Sequence, residues 1–234
     1  MLYVGVDLHQ HYFFVTVMDE KGKVLSEDKV ETLDWQIEEY FQPLTKDNKV
    51  EIAVEPISSW SWFYEIAESL GCSVHLVNPL KVKAIASARI KTDKIDSNIL
   101  AHLLRTNLLP EAYIPTRDIR DLKELLRTRA SLVHLRTEVK NRIHAILHKT
   151  GIQHEYSNLF GKAGREFLRE LELPEPYQRA LDKYLQVTDN LDEQIEQADQ
   201  EIQEKAKSDK KALLLMSIDG ISYYSALLIV AEIG

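Results

Sequence analysis

The chain has 234 residues, 44% of them hydrophobic and 8% aromatic, with a formal net charge of -8 and a pI near 5.5. This bounds it to one or two domains around a good-sized core. A single cysteine, Cys72, excludes disulfides and cysteine zinc sites and points to a reducing cytoplasm, where it is expected as a small core hydrophobe. No run approaches the roughly 20 apolar residues of a membrane span, and the start, MLYVGVDLH, lacks the basic and apolar regions of a secretory signal.

Residues 2–8 (LYVGVDL), 11–18 (HYFFVTVM) and 22–30 (GKVLSEDKV) read as three strands, spaced for consecutive antiparallel pairing. A helix is expected from Leu33 to about Phe41, then a buried central strand at 50–54 (VEIAV), a helix from Ser58 to Leu70 and a strand over Ser73–Val77. Asn78-Pro79 breaks that strand, and helical sequence resumes towards Leu104. The order βββαβαβα predicts a mixed α/β domain over residues 1–110.

Beyond it, Leu122, Leu125, Leu126, Leu132, Leu135, Val139, Ile143 and Ile146 recur at three- and four-residue steps across Arg117–Lys149, a stretch without Gly or Pro. That pattern suits a packed hairpin or coiled coil. Residues 161–168 (GKAGREFL) read as a looser segment, and a second long helix is expected over Tyr177–Lys207. The two form an antiparallel arm within 111–208, followed over 209–234 by two short helices around Asp219-Gly220-Ile221-Ser222. The chain ends in mid-pattern, as a truncated chain would.

The net acidic charge is unevenly spread. Residues 1–80 carry -9, residues 81–150 carry +8 and residues 151–234 carry -7. A basic middle between acidic flanks suits a localised polyanion footprint.

Four carboxylates stand out against this background. Asp7 ends the first strand among apolar neighbours, and Glu55 stands where the central strand exits. Buried carboxylates are costly unless paired or metal-bound. Asp93 and Asp96, three apart, share one helix face with about 5–6 Å between Cβ atoms. Hard oxygen ligands at this density suit Mg²⁺ or Mn²⁺ and the in-line displacement of phosphoryl groups. Lys81, Lys83, Arg89, Lys91 and Lys94 are the cations expected to hold the nucleic-acid backbone. Taken singly, each acid has a bland alternative: a turn or cap for Asp7, the helix N-cap for Asp93, a surface loop for Glu55. His9, His11, His75, His102, His134, His144, His148 and His154 show no ligand spacing beside an acid and are expected as surface or DNA-side residues.

The segments GVDLHQ, AVEPISSW, LVNPLKVKAIASARIKTDKIDSNILA and SIDGISYYSALLIVAEIG resemble the insertion-sequence transposases of the DEDD type. The run from Asn78-Pro79 through Lys91-Thr92-Asp93-Lys94-Ile95-Asp96 is the most specific part, with Ser97 where Ala is common. The resemblance implies an RNase H-like (RuvC-like) catalytic domain whose four acids fall on Asp7, Glu55, Asp93 and Asp96. It further implies DNA as substrate, a structured guide RNA, and a homodimer or tetramer built through the helical arm. It also implies a nucleophilic serine in a C-terminal transposase domain beyond residue 234, so that Ser217, Ser222 and Ser225 do not fill that role.

Three other readings compete. A stand-alone junction resolvase would need only the acids. A non-catalytic oligomeric RNA/DNA-binding scaffold would need only the arm and basic middle. An ATP-using protein of the actin type is disfavoured, since Leu8-His9-Gln10 stand where its phosphate loop wants Gly or Thr.

Overall fold

Strand β1 (Leu2–Leu8) turns one row of side chains, Leu2, Val4, Val6 and Leu8, into an apolar core and keeps Tyr3, Gly5 and Asp7 for the other face. It pairs antiparallel with β2 (Tyr12–Met18), which pairs antiparallel with β3 (Val24–Glu31). On its other side β1 pairs parallel with β4 (Val50–Val54), and β4 with β5 (Ser73–Leu76). The mixed five-stranded sheet has the order β3-β2-β1-β4-β5. A computed structural model describes residues 1–85 and 92–233, which fall into two compact units, Met1–Ile114 and Pro115–Gly234.

In the first unit, helices α1 (Asp34–Asp47) and α2 (Trp60–Ser69) cover one face of the sheet, burying Ile37, Phe41, Phe63 and Ala67 against Val4, Val6, Phe13, Val15 and Ile52. Helix α1 runs past the expected end at Phe41 and through Pro43, because Phe41 and Leu44 both pack on this core. The other face carries α3 (Pro79–Ile85) and α4 (Asp93–Arg105), whose Val82, Leu100, Leu103 and Leu104 pack with Ala53 and Val77.

Helix α4 lies directly on β1 at Gly5. A Cβ there would stand 1.9 Å from Ser97 O and 2.5 Å from Ala101 N, so only glycine admits the helix backbone. Beside it, Thr16, the register partner of Gly5 on β2, meets Ser97 Oγ at 2.8 Å in a fully buried contact. Ser97 donates to Lys94 O at 3.0 Å, which leaves Thr16 as the donor in the pair.

The second unit is helical: α5 (Arg117–Lys149), α6 (Lys162–Glu170), α7 (Tyr177–Ser208), α8 (Lys210–Met216) and α9 (Tyr223–Ile233). Residues read as a looser segment are thus the helix α6. Its Gly164 touches the Leu159 backbone so closely that a Cβ would fall 2.2 Å from Leu159 O, and Leu168 is buried. Helices α5 and α7 pack together, with apolar cores at two places. One gathers Leu126, Ile202 and Ala206 with α8 and α9; the other gathers Ile143, Leu147, Leu181 and Leu185 with α6. Between them Arg129 pairs with Asp199 at 2.9 Å, Arg136 with Asp192 at 2.7 Å, and Arg165 with both Asp189 and Asp192. Among the described residues no helix is long and apolar enough to cross a membrane.

Gly5→Ala is expected to lower stability by at least about 3 kcal/mol, beyond ordinary overpacking, because the colliding atoms are backbone. Ser97→Ala should cost about 1–2 kcal/mol by orphaning the buried Thr16 hydroxyl. Urea midpoints of the two variants against the parent chain check both.

Candidate metal centre

Asp7 occupies the penultimate position of β1 and lies on the α4 face. The close approach at Gly5 carries the first turn of α4 towards that end of the strand. Thr92 caps the helix, its side chain accepting from Ile95 N at 3.3 Å, which leaves Asp93 as the first helical residue and frees its carboxylate for tertiary contacts. The cap role considered for Asp93 thus belongs to its neighbour.

After Leu8 the chain turns tightly, His9 N donating to Tyr12 O at 2.9 Å. The turn brings His9 Nε2 to 3.2 Å from Asp7 Oδ2 and 3.5 Å from Asp93 Oδ2. Tyr12 donates its hydroxyl to Asp93 Oδ2 at 2.9 Å, and Lys29 Nζ sits over the Tyr12 ring, 3.7 Å from its centroid. Among the described residues, Asp7, His9 and Asp93 are the set of three whose ligand atoms all lie within 4.8 Å of one another.

Glu55 and Asp96 stand outside that set. Glu55 follows β4 directly; since Gly5 pairs with Ala53 and Val6 with Val54, its backbone comes next to that of Asp7. Asp96, one turn into α4, is close enough for its charge to act on Asp7. Lys81 and Lys83 are exposed on α3, while Lys94 is turned to Glu27 of β3 at 2.8 Å. Arg89 and Lys91 lie outside the described residues.

Burial pushes the Asp7 carboxyl up from 3.8 to about 6; His9 opposes this, and the Asp93 and Asp96 charges add to it. The hydrogen bond to Asp93 likewise raises the Tyr12 hydroxyl above its ordinary range. Among the described residues, the acids here crowd one another with a histidine as their main counter-group. Such a site gains when a cation enters.

Residues 4–152 match the family model of the IS110-type DEDD transposases, described as Transposase. The chain belongs to this family. It is 24% identical over 240 residues to the transposase for insertion sequence element IS1111A of Coxiella burnetii, covering 99% of this chain and 63% of that protein. It is 25% identical over 231 residues to the transposase for insertion sequence element IS1328 of Yersinia enterocolitica, covering 99% and 67%. With the transposase for IS1533 of Leptospira borgpetersenii the identity is 24% over 241 residues, covering 100% and 70%. The chain therefore spans about two thirds of the length of these curated relatives.

In this chain, sequence reading missed His9 and Tyr12. His9 was expected to stand apart from any acid, whereas it touches two. The overlooked signal is the spacing Asp7-x-His9 across a strand end, followed by an aromatic residue at the start of the next strand. A tight hairpin turn folds all three to one place.

Relative to the unfolded chain, folded Asp7 holds its proton more tightly. Ionisation thus penalises the fold increasingly as pH rises from about 4 to about 6, and fully above that. In metal-free buffer at pH 7.5, Asp7→Asn should stabilise the protein by about 1–2 kcal/mol, discounted for partial solvent access. The gain should vanish towards pH 4, as read from urea midpoints across that range.

Proposed function

We propose that the first unit is the metal-dependent, nucleic-acid-processing part of an insertion-sequence transposase, built on an RNase H-like (RuvC-like) sheet. The observation that carries this reading is the convergence of Asp7, His9 and Asp93 within 4.8 Å at one end of β1. The mixed sheet supports it, with β1 between an antiparallel and a parallel neighbour and an acid at the end of β1 and just past β4.

The donor chemistry fits a divalent cation. Carboxylate oxygens dominate, which suits Mg²⁺ or Mn²⁺, and one imidazole is better tolerated by Mn²⁺. Asp7 and Asp93 would be the anchoring ligands, with Asp96 and Glu55 beside them and His9 either ligating or orienting Asp7. When bound, the ion polarises a phosphoryl oxygen and stabilises the charge that develops in displacement.

The chain's own groups do the rest. Tyr12 holds Asp93 in one orientation by donating its hydroxyl to Oδ2, which leaves the other carboxylate oxygen for a metal ion. The first turn of α4 offers the positive end of its dipole to the acids and to any phosphate drawn near them. Lys81 and Lys83, exposed on α3, are suited to backbone contacts, with Lys94, Arg89 and Lys91 as further cations of the same segment.

In this reading DNA is the substrate, a structured guide RNA directs it, and copies of the chain assemble as dimers or tetramers. Residues 1–110 serve as catalytic domain, 111–208 as arm and 209–234 as part of a C-terminal transposase domain. Leu135 and Val187, 47% and 44% exposed on the two long helices, are apolar surface available to such assembly.

Calorimetric titration of Mn²⁺ should give saturable binding to the parent chain and binding weakened by more than about tenfold in Asp7→Ala; equal binding overturns the metal assignment. For the nucleic-acid surface, replacing both Lys81 and Lys83 by Ala should reduce the slope of log affinity for duplex DNA against log salt by about 1.8. An unchanged slope removes them from the footprint.

A further inference from the structure

A different donor set lies in the second unit and stands independently of the reading above. Helix α5 ends in a paired-bond cap: Gly151, at φ +72°, donates to His148 O at 3.3 Å, and Ile152 donates to Leu147 O at 2.9 Å. This Schellman-type turn folds residues 152–154 back along the last turns of α5, with Ile152 packed against the cluster containing Leu147 and Leu159. His154 is thereby brought to His144, ring centroids 6.2 Å apart. His144 and His148 stand one turn apart on α5, a spacing that puts Cβ atoms about 5–6 Å from each other. Together with Gln153, the three histidines line a surface cavity of about 620 Å³.

Two features mark this cluster as more than a solvated helix end. His154 Nδ1 is shut off from solvent and has no hydrogen-bond partner, a cost that a ligand would remove. The rings are also held from behind, His144 edge-on to Phe160 at 5.4 Å and His154 against Tyr156 and Phe167 at 6.2 and 6.5 Å. Zinc bonds of 2.0–2.1 Å to imidazole nitrogens put two ring centroids about 5–6 Å apart, so His144 and His154 already stand near that separation. The three rings are not gathered within 4.8 Å as they stand, and His148, exposed one turn along α5, completes the set by side-chain rotation.

We propose that His144, His148 and His154 form a transition-metal site for Zn²⁺ or an ion of similar softness, which ties the returning segment 152–154 to the end of α5. Three imidazoles with a fourth position for water suit Zn²⁺, whereas Mg²⁺ and Ca²⁺ prefer oxygen.

The test uses the full chain carrying Asp7→Asn and Asp93→Asn, which removes the two anchoring carboxylates of the competing site. Zn²⁺ should bind with one equivalent by calorimetry, and Co²⁺ should produce the visible absorption of a tetrahedral centre, neither displaced by millimolar Mg²⁺. His148→Ala and His154→Ala should each weaken Zn²⁺ binding by more than about tenfold. Exposed His148 gives the reading if the His154 variant loses its helical circular dichroism. Absence of a one-equivalent site, or Zn²⁺ binding unaltered by His148→Ala, overturns the proposal.

Discussion

A helix lies against a strand at backbone contact only where the strand carries no side chain, and Gly5 is where β1 meets that condition. The geometry of the acidic site depends on it. With Ser97 O and Ala101 N resting where a Cβ would be, the axis of α4 is fixed over β1. The buried Thr16–Ser97 pair fixes its position across the sheet. Asp93 then reaches the side chains at the end of β1 because the distance along the helix from Ser97 matches the distance along the strand from Gly5. Ser97 has its reason here: its hydroxyl is satisfied within the helix and satisfies Thr16 in turn.

Asp7 in the first unit and Asp192 in the second are treated in opposite ways. In the second, burial alone would push Asp192 up, but hydrogen bonds from Arg136 and Arg165 outweigh it and hold the carboxyl below its ordinary range. Those ion pairs bridge the polar middle between two apolar clusters and need no further ligand. In the first unit, two described cations of the same region are occupied elsewhere. Lys94 is turned to Glu27, and Lys29 lies over the Tyr12 ring. Asp7 is left among Asp93, Asp96 and a single histidine, and its proton affinity rises.

Much of the architecture was legible because the periodicities are strong. The three opening strands, the VEIAV strand and both long helices announce themselves by alternation or by three- and four-residue steps, and each forms within a few residues of its expected limits. Misreadings fell where tertiary packing overrides local preference. Pro43 is carried through α1 by apolar anchors on either side. Helix α6, with glycines in and before it, is held by Gly164 against the Leu159 backbone and by Leu168 in an apolar cluster. The apolar repeat of α5 does not distinguish residues that pack, such as Leu126 and Ile143, from Leu135, which remains exposed.

By itself the sequence determined the mixed α/β order, the helical second half, the basic middle segment and the oddity of acids at strand ends. These follow from composition and local period, which require no knowledge of neighbours. Only the tertiary structure decided which groups meet. It brought Asp7 to Asp93, added His9 and Tyr12, and left Glu55 and Asp96 outside that set. It also turned Lys94 aside and folded His154 back to His144. Such meetings depend on a hairpin turn, a helix cap and a glycine contact between residues up to about ninety positions apart, and no local spacing encodes them.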